Sequence, residues 1–396
     1  MATEQQAGKP VEVDPAANER RKFLGTLAAG AGAATLLAGL GASPSASAQQ
    51  PGAQPPPPPG ARPPPPPEPK VSQPPPLRDV KGKTVYITAA SDGIGLGIAR
   101  ACSNAGMNVV IGYRQEARLA AALPLFAKGA PVFPVKHDVV GREGWVQMLE
   151  AVKGKYGKLH VVVNNAGIKT FRMASQATPE EWQNAIDVNF SAIWHSVAVC
   201  LPHMKEHNEG GHFVTTSSMS GLLPAVTAGV YTATKVAAVG IMEALRIELE
   251  GTNIGTSAFC PGGVNTDNYI GTGEENPFRK ANPPPGPPRT GGNGGPPPRA
   301  GGNGGPPRTG GVQYVGMDPL EAGERVLNGI RNNDLFILSH PEFMPGMKER
   351  FDAILTSCTD EPVPGPRLAG ETRTRWTGIY PREIVHRFEK RDTYRG

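Results

Sequence analysis

Apolar residues in the middle of the chain form short β-branched runs separated by longer stretches with helical periodicity. The runs predict seven strands, at Lys83–Thr88, Asn108–Gly112, Pro131–Val135, Leu159–Asn164, Gly211–Thr216, Gly255–Phe259 and Leu335–Leu338. Helical patterns begin near Gly93, continue after Gly112, and return at Pro179–Met204, Val230–Glu250 and Asp318–Asn332. Because strands alternate with helices, the pattern predicts an α/β fold in which one parallel sheet of the Rossmann type is doubly wound by helices.

Two tracts rich in proline and glycine interrupt this pattern. The chain has 43 Pro and 50 Gly, and they crowd into residues 51–76 and 283–311, where apolar side chains for a core are lacking. We therefore predict a single folded domain with disordered additions. The predicted parts are a disordered Pro-rich linker at 49–81, a domain at 82–345 with a disordered Pro/Gly-rich insertion at 277–311, and a C-terminal extension at 346–396 that the pattern does not place.

The first 48 residues have the three parts of a secretory signal. Arg20, Arg21 and Lys22 form the charged region, an uncharged run follows from Leu24 to Leu40, and Ala46-Ser47-Ala48 offers small residues for cleavage. The R-R-K-F-L run resembles a twin-arginine export signal, although Glu19 stands where Ser or Thr is usual. We expect a cleaved signal, the twin-arginine translocation machinery as partner, and a periplasmic protein. An uncleaved membrane anchor and a cytoplasmic protein are the alternatives.

Charge and cysteine content exclude several classes of function. The formal net charge is only +5, and no block of Lys and Arg mixes with aromatic residues, so no nucleic-acid partner is expected. The four cysteines lie far apart in sequence, which favours buried free thiols. His203 and His207 stand at i, i+4 and could share a metal ion. No third ligand lies near them in sequence, so we expect a solvated helix end and no metal.

The first turn of the predicted fold has the composition of a phosphate-binding turn. Residues 88–95 read T-A-A-S-D-G-I-G and lie between the first strand and the first helix. Small residues at this point let the backbone approach a dinucleotide pyrophosphate, and the amide groups at the helix start face the phosphates. Such turns are common, so the motif indicates a dinucleotide site only together with its position.

A tyrosine and a lysine share one face of the helix predicted over Val230–Glu250. Tyr231 and Lys235 stand at i and i+4, and an ammonium group beside a phenol favours the phenolate form. Such a tyrosine can exchange a proton with a carbonyl or an alcohol. Chance also produces this spacing often, so the pair carries little weight by itself.

Further polar motifs follow the strands in order. Asn164-Asn165-Ala166-Gly167 ends the fourth strand, Ser218 follows the fifth, and Pro261-Gly262-Gly263-Val264 follows the sixth. Carboxyl ends of strands form the ligand-binding edge of open α/β sheets, so these groups are expected to converge. Asn189 lies instead within the helix after the fourth strand.

With this ordered set, the chain resembles the classical short-chain dehydrogenase/reductase family from about Gly82 to His340, without the insertion. The resemblance implies an NAD(P)-dependent oxidoreductase that interconverts an alcohol and a ketone or aldehyde. It implies that Tyr231 is the general acid/base and that Lys235 lowers the Tyr231 pKa and holds the nicotinamide ribose. It also implies that Ser218 binds the substrate oxygen and that Asn189 orders a water relay to Lys235.

The same resemblance assigns residues to the dinucleotide. Asp138 matches the residue that contacts adenine, and Thr266 matches the one that contacts the carboxamide. The full set is Thr88, Ala89, Ser91, Asp92, Gly93, Ile94, Gly95, Arg114, Asp138, Val139, Asn165, Ala166, Gly167, Tyr231, Lys235, Pro261, Gly262, Val264 and Thr266.

Two positions depart from the family pattern, and a third bears on the cofactor. Ala89 replaces the first glycine of the turn, and Asp92 stands where NADP-preferring members often carry a basic residue. The second strand ends in Gly112-Tyr113-Arg114, without an acid for a ribose 2′-hydroxyl, and Arg114 suits a 2′-phosphate. NADP is slightly preferred over NAD, while an Arg114 that is merely solvated remains an equal alternative.

Other functions and partners remain open. The alternatives to an enzyme are a dinucleotide sensor without catalysis and a scaffold whose Pro-rich segments matter most. The four intact residues Asn189, Ser218, Tyr231 and Lys235 disfavour a sensor, because a sensor needs only the phosphate turn. The expected partners are a small alcohol or carbonyl substrate and, by family resemblance, a second copy of the chain in a dimer or tetramer. Apolar residues after Ser218 are consistent with an aliphatic or ring alcohol.

Overall fold

The computed structural model describes residues 75–170, 172–225, 228–266, 316–359, 361–370 and 377–389. The predicted signal at 1–48, most of the predicted linker and the predicted insertion at 277–311 lie outside these residues.

Seven parallel strands form one sheet in the order β3-β2-β1-β4-β5-β6-β7. The strands are β1 (Thr84–Ile87), β2 (Asn108–Tyr113), β3 (Val132–Lys136), β4 (Val161–Asn164), β5 (Gly211–Thr216), β6 (Ile254–Cys260) and β7 (Phe336–Leu338). The order reverses between β1 and β4, which creates the crevice where doubly wound sheets bind ligands. The predicted fold class is confirmed, and every predicted strand is present to within two residues at each end.

Ten α-helices accompany the sheet in the described residues. They are α1 (Gly93–Asn104), α2 (Glu116–Ala122), α3 (Arg142–Tyr156), α4 (Pro179–Ile186), α5 (Ala192–His207), α6 (Gly229–Glu248), α7 (Pro319–Asn332), α8 (Met344–Thr356), α9 (Gly365–Gly370) and α10 (Ile379–Glu389). The helix predicted over Pro179–Met204 is therefore two helices, joined by a turn of π-helix at Asp187–Ser191.

The core lies on both faces of the sheet, because successive strand residues point to opposite sides. Along β1, Tyr86 packs with side chains of α3, α5 and α6, whereas Val85 and Ile87 pack with those of α1 and α7. Helices α1 and α7 approach very closely at Gly97, where a Cβ atom would lie 1.8 Å from the carbonyl oxygen of Pro319. This contact fixes α1, and therefore the turn that precedes it.

Packing also extends beyond both predicted limits of the domain. Leu77 and Val80, which the sequence assigned to the linker, are fully buried with the side chains of α1. At the other end, Ile379 of α10 is buried, and His386 Nε2 lies 3.0 Å from the carboxylate of buried Asp334, just before β7. Residues 77–80 and 379–387 therefore pack on the same sheet as the predicted domain.

Three of the four cysteines are buried free thiols, as expected: Cys102, Cys200 and Cys260. Cys358, which follows α8, is exposed, so the expectation was wrong for this residue. The C-terminal extension gave no apolar periodicity strong enough to predict its exposure.

Candidate active site

Thr88 anchors the phosphate turn to the neighbouring strand. Its hydroxyl oxygen accepts hydrogen bonds from the backbone amides of Asn165 and Ala166, both at 2.8 Å. The side-chain amide of Asn165 in turn donates to the Thr88 carbonyl oxygen at 3.1 Å. The turn after β1 and the Asn-Ala-Gly segment after β4 are therefore held together, as their positions at the carboxyl ends of strands predicted.

The turn takes an unusual backbone conformation at two residues. Ala89 has φ of 51°, a left-handed conformation that glycine adopts more readily than alanine, and Gly93 has φ of 53°. At Gly95 a Cβ atom would lie 2.3 Å from the Ala89 carbonyl oxygen. The replacement of the family glycine by Ala89 is thus accommodated, but with backbone strain.

The start of α1 carries no side-chain cap. Asp92 occupies the N-cap position, yet its carboxylate makes no capping hydrogen bond and instead pairs with Arg118 of α2. Amide groups of the first helical turn therefore remain available for an anion, and the helix dipole favours negative charge there. These features fit a dinucleotide pyrophosphate. Sequence reasoning missed Arg118, although it follows Arg114 by only four residues.

The residues assigned to the adenosine end lie at the ends of β2 and β3. Arg114 Nη1 lies 3.5 Å from an Asp138 carboxylate oxygen, and both side chains are largely exposed. Val139 is buried, and its carbonyl oxygen accepts a hydrogen bond from the Trp145 indole at 3.1 Å. The structure thus brings Arg114 and Asp138 together as an ion pair.

Ser218 and Tyr231 meet at the carboxyl edge of the sheet. Ser218 directly follows the strand-end pair Thr216-Ser217, and its hydroxyl oxygen accepts a hydrogen bond from the Ser220 amide at 3.1 Å. Burial raises the pKa of Tyr231 above its usual 10, and a hydrogen bond with the Ser218 side chain opposes this rise. The two hydroxyl groups are therefore close enough to contact one substrate oxygen.

Lys235 lies buried beneath this pair. Its ammonium donates to the Thr216 carbonyl oxygen at 2.8 Å and lies 5.5 Å from the centroid of the Tyr231 ring. Burial lowers the pKa of Lys235 to about 8. The expected lowering of the Tyr231 pKa by Lys235 is not found, because burial of the phenol dominates.

Asn189 lies in the π-helical turn, a feature often found at functional sites. Its side chain accepts from the Ile168 amide at 2.8 Å and donates to the Ile168 carbonyl oxygen at 2.9 Å. It also donates to the Thr234 hydroxyl at 3.1 Å. The Asn189 oxygen and the Lys235 ammonium both border Gly167, where a Cβ atom would lie 3.4 and 3.3 Å from them.

The segment after β6 closes the site on the opposite side. Residues 261–266 are held by His340, which accepts from the Gly262 amide at 2.9 Å, and by an isolated bridge between Val264 and Met317. The Thr266 methyl group borders the turn, since a Cβ atom at Gly93 would lie 3.0 Å from it. The motif after β6 thus reaches the phosphate turn.

The histidine pair that could have bound a metal has another role. His203 Nε2 accepts from the Leu159 amide at 3.1 Å, and His207 lies 2.9 Å from the Leu159 carbonyl oxygen. Both rings are partly buried and contact each other, and the His207 ring also lies beside His160, so the expected solvated helix end is wrong. Among the described residues no three side chains are placed to hold a metal ion.

Known proteins share this sequence pattern and fold. Residues 83–276 match the short chain dehydrogenase family. An uncharacterized oxidoreductase of Listeria innocua is 34% identical over 192 residues, which cover 48% of this chain and 77% of the relative. A C alpha-dehydrogenase of Sphingobium sp. is 25% identical over 283 residues, or 71% of this chain and 88% of that enzyme.

A solved structure supports the same assignment. A short chain dehydrogenase/reductase from Burkholderia phymatum, solved in complex with NAD, superposes with a TM-score of 0.59 and 25% identity. The match covers 72% of this chain and 99% of that one. The chain therefore belongs to the short-chain dehydrogenase/reductase family, a family of NAD(P)-dependent oxidoreductases.

Proposed function

We propose that the protein interconverts an alcohol and a ketone or aldehyde, with NADP or NAD as hydride carrier. The observation that carries the proposal is the meeting of the Ser218 and Tyr231 hydroxyls at the sheet edge above the buried Lys235 ammonium. A bound nicotinamide would exchange the hydride with the substrate carbon. The side chains of this chain would then handle the substrate oxygen and its proton.

Tyr231 is the proposed proton carrier. Its raised pKa keeps the phenol protonated at neutral pH, so it can donate to a carbonyl oxygen that Ser218 holds by a hydrogen bond. In the opposite direction Tyr231 must be in its phenolate form, which accepts the alcohol proton. Lys235, with a pKa of about 8, is mostly charged at neutral pH and stabilises the phenolate that this step needs. Asn189 is proposed to order a water relay to Lys235.

The cofactor preference is proposed as NADP, with NAD as the alternative. The absence of an acid at Gly112-Tyr113-Arg114 and the exposed Arg114 guanidinium support a 2′-phosphate contact. The NAD complex of the Burkholderia phymatum relative supports the alternative. Equilibrium binding of NADPH and NADH to the same preparation decides between them.

The substrate is proposed to be a small apolar alcohol or ketone. Met219 is buried, and Leu222, Phe343 and Met347 pack partly buried against the same core cluster. Screening aliphatic, ring and benzylic alcohols and ketones for a change in NAD(P)H absorbance tests this. Turnover of at least one class is expected. Dinucleotide binding without any turnover would favour the sensor, and absence of binding would favour the scaffold.

A second copy of the chain is the proposed partner of helices α5 and α6. A groove of about 350 Å³ lies between them, and its lining is apolar except for Glu248. Trp194 on its rim is 52% exposed. Large exposed apolar patches are typical of interaction surfaces, and the family resemblance agrees. Trp194→Glu should convert a dimer or tetramer to monomer in sedimentation analysis, whereas a wild-type monomer would contradict the proposal.

Export with a retained cofactor is proposed for the mature protein. Twin-arginine export suits proteins that fold first, and a dinucleotide stabilises only the folded chain. Free dinucleotide would be scarce outside the cytoplasm, so the cofactor would stay bound while one substrate is oxidised and another reduced. Fractionation of wild type and Arg20→Lys/Arg21→Lys tests export. Near-stoichiometric dinucleotide released on denaturation tests retention, and exported protein without dinucleotide would contradict retention alone.

A further inference from the structure

A short segment after β4 lies between the elements that carry the proposed catalytic residues. We call residues 167–170 and 172–174 the bridging segment. At its start, Ile168 is held through both its amide and its carbonyl by the Asn189 side chain. That side chain also bonds to the hydroxyl of Thr234, the residue before Lys235. The bridging segment is thus fixed to the π-helical turn and to α6.

The other end of the bridging segment contacts the first residue of α6. The Arg172 carbonyl oxygen accepts a hydrogen bond from the Gly229 amide at 2.9 Å. Ala174 lies against the same residue, since a Cβ atom on Gly229 would be 2.6 Å from the Ala174 amide nitrogen. Tyr231 follows Gly229 by two residues. A shift of the bridging segment would therefore shift the start of the helix that carries Tyr231.

A buried ion pair holds Arg172 in place. Arg172 Nε donates to a carboxylate oxygen of Glu181 at 2.8 Å, and the Glu181 side chain is only 4% exposed. Glu181 is itself fixed by a capping box, in which its other oxygen accepts from the Thr178 amide at 3.0 Å. Burial would raise the Glu181 pKa, but the hydrogen bonds from Thr178 and Arg172 and the Arg172 charge lower it overall.

We infer that Arg172 and Glu181 form a positioning pair for Tyr231. The pair fixes the bridging segment, the segment fixes the start of α6, and the start of α6 sets the Tyr231 hydroxyl against Ser218. This inference rests on the proposed role of Tyr231, and neither Arg172 nor Glu181 is placed against the substrate oxygen. The physical basis is that the Glu181 carboxylate cannot turn, because one of its oxygens is already bonded to the Thr178 amide. Its other oxygen therefore holds the Arg172 guanidinium in a fixed geometry.

The chain offers closely matched variants for the test. Glu181→Gln removes the charge but keeps a side chain that can complete the capping box. Arg172→Met removes the guanidinium and keeps an unbranched side chain. Arg172→Lys keeps the positive charge but lacks the planar guanidinium group. Arg325→Met on α7 is the control, because Arg325 also pairs with a glutamate, Glu321, but on an exposed face away from the site.

The kinetic result expected is a loss in kcat with little change in KM. Small displacements at a reacting centre cost up to roughly 100-fold, so Arg172→Met and Glu181→Gln should each lower kcat roughly 10-fold or more. The double variant should be no slower than the slower single variant, because both changes break one pair. Arg172→Lys should recover part of the rate, and Arg325→Met should match wild type.

A second readout needs neither substrate nor cofactor. The ultraviolet phenolate signal of Tyr231, isolated by subtracting Tyr231→Phe in each background, reports its pKa in the free protein. Loss of the pair should raise this pKa further, because the opposing hydrogen bond from Ser218 is weakened. An unchanged Tyr231 pKa in folded Arg172→Met would overturn the inference. A raised KM with unchanged kcat would also overturn it, since Arg172 would then contact substrate. If wild type turned over no alcohol or ketone, the proposed function would fail, while the phenolate titration would still decide the positioning role.

Discussion

Replacing Lys235 by methionine should stabilise the folded protein while removing a residue that its proposed chemistry needs. Lys235 is fully buried, and its pKa falls from 10.5 to about 8 because burial disfavours the charged form. That difference corresponds to about 3 kcal/mol against the folded state at neutral pH. Methionine keeps most of the aliphatic part of the lysine side chain. It leaves the Thr216 carbonyl without its hydrogen bond, at a cost of about 1 kcal/mol. We expect a net gain of roughly 2 kcal/mol.

The pH dependence identifies the cause of this gain. The unfolded chain binds more protons than the folded one between pH 8 and 10.5, so wild-type stability should rise with pH across this window. The free-energy cost of burying the charged Lys235 in the wild-type protein is therefore complete below about pH 8 and absent above about pH 10.5. Lys235→Met should lack this rise, and its advantage should shrink as the pH increases.

The free energy of unfolding of wild type and of Lys235→Met is measured by urea denaturation at several pH values from 7 to 10.5. Lys153→Met is the control, because Lys153 is exposed on α3 and pairs with Glu150. An exposed pair of this kind is screened by solvent and contributes little to stability, so this variant should be unchanged or slightly less stable. A Lys235→Met protein no more stable than wild type at pH 7 would refute the reasoning, and so would an equal gain from Lys153→Met.

Three further predictions concern the rest of the fold. Ala89→Gly should raise the free energy of unfolding by up to about 1 kcal/mol, because relief of left-handed strain exceeds the added chain entropy; a loss in urea denaturation would contradict it. His160→Asn should lose less stability than wild type on acidification. Burial lowers the His160 pKa to about 4, so the wild-type protein loses stability as the pH falls from 6.5 to 4. Parallel stability profiles of the two proteins against pH would contradict this. Replacing residues 277–311 with a short Gly/Ser linker should leave the melting temperature nearly unchanged, because hydrogen bonds between Asn265 and Gly316 already join the flanking chain. A large drop would mean that the tract contributes to the folded core.

The sheet could be predicted from sequence because its strands are short apolar runs with a fixed relation to their turns. Lys83–Thr88 and Gly211–Thr216 needed only composition and alternation with helices, and the strand ends then indicated which polar residues would converge. Ser218 was placed at the site for this reason, whereas the role of Tyr231 beside it came from the family resemblance. The order of motifs carried more information than any single motif.

Features that depend on tertiary contact could not be predicted in the same way. The Tyr231 pKa is set by burial, which the i, i+4 spacing of Tyr231 and Lys235 does not report. The pairing of Asp92 with Arg118 joins two elements, and the hydrogen bond from Lys235 to Thr216 needs the sheet in place. The helix α10 was not predicted, and its contact with the domain through His386 and Asp334 depends on the folded sheet.

The proton role of Tyr231 is the central claim, and Tyr231→Phe tests it most directly. The variant loses one hydroxyl oxygen and keeps the ring that lies near Lys235. The measurement is single-turnover oxidation of a substrate alcohol, followed by NAD(P)H absorbance, beside dinucleotide affinity from equilibrium binding on the same protein. General acid/base groups contribute roughly 100- to 10,000-fold, so we predict that turnover falls by at least about 100-fold while dinucleotide affinity stays nearly unchanged. Turnover above a tenth of the wild-type rate, with the variant folded and dinucleotide bound, would contradict the assignment of Tyr231 as the proton carrier.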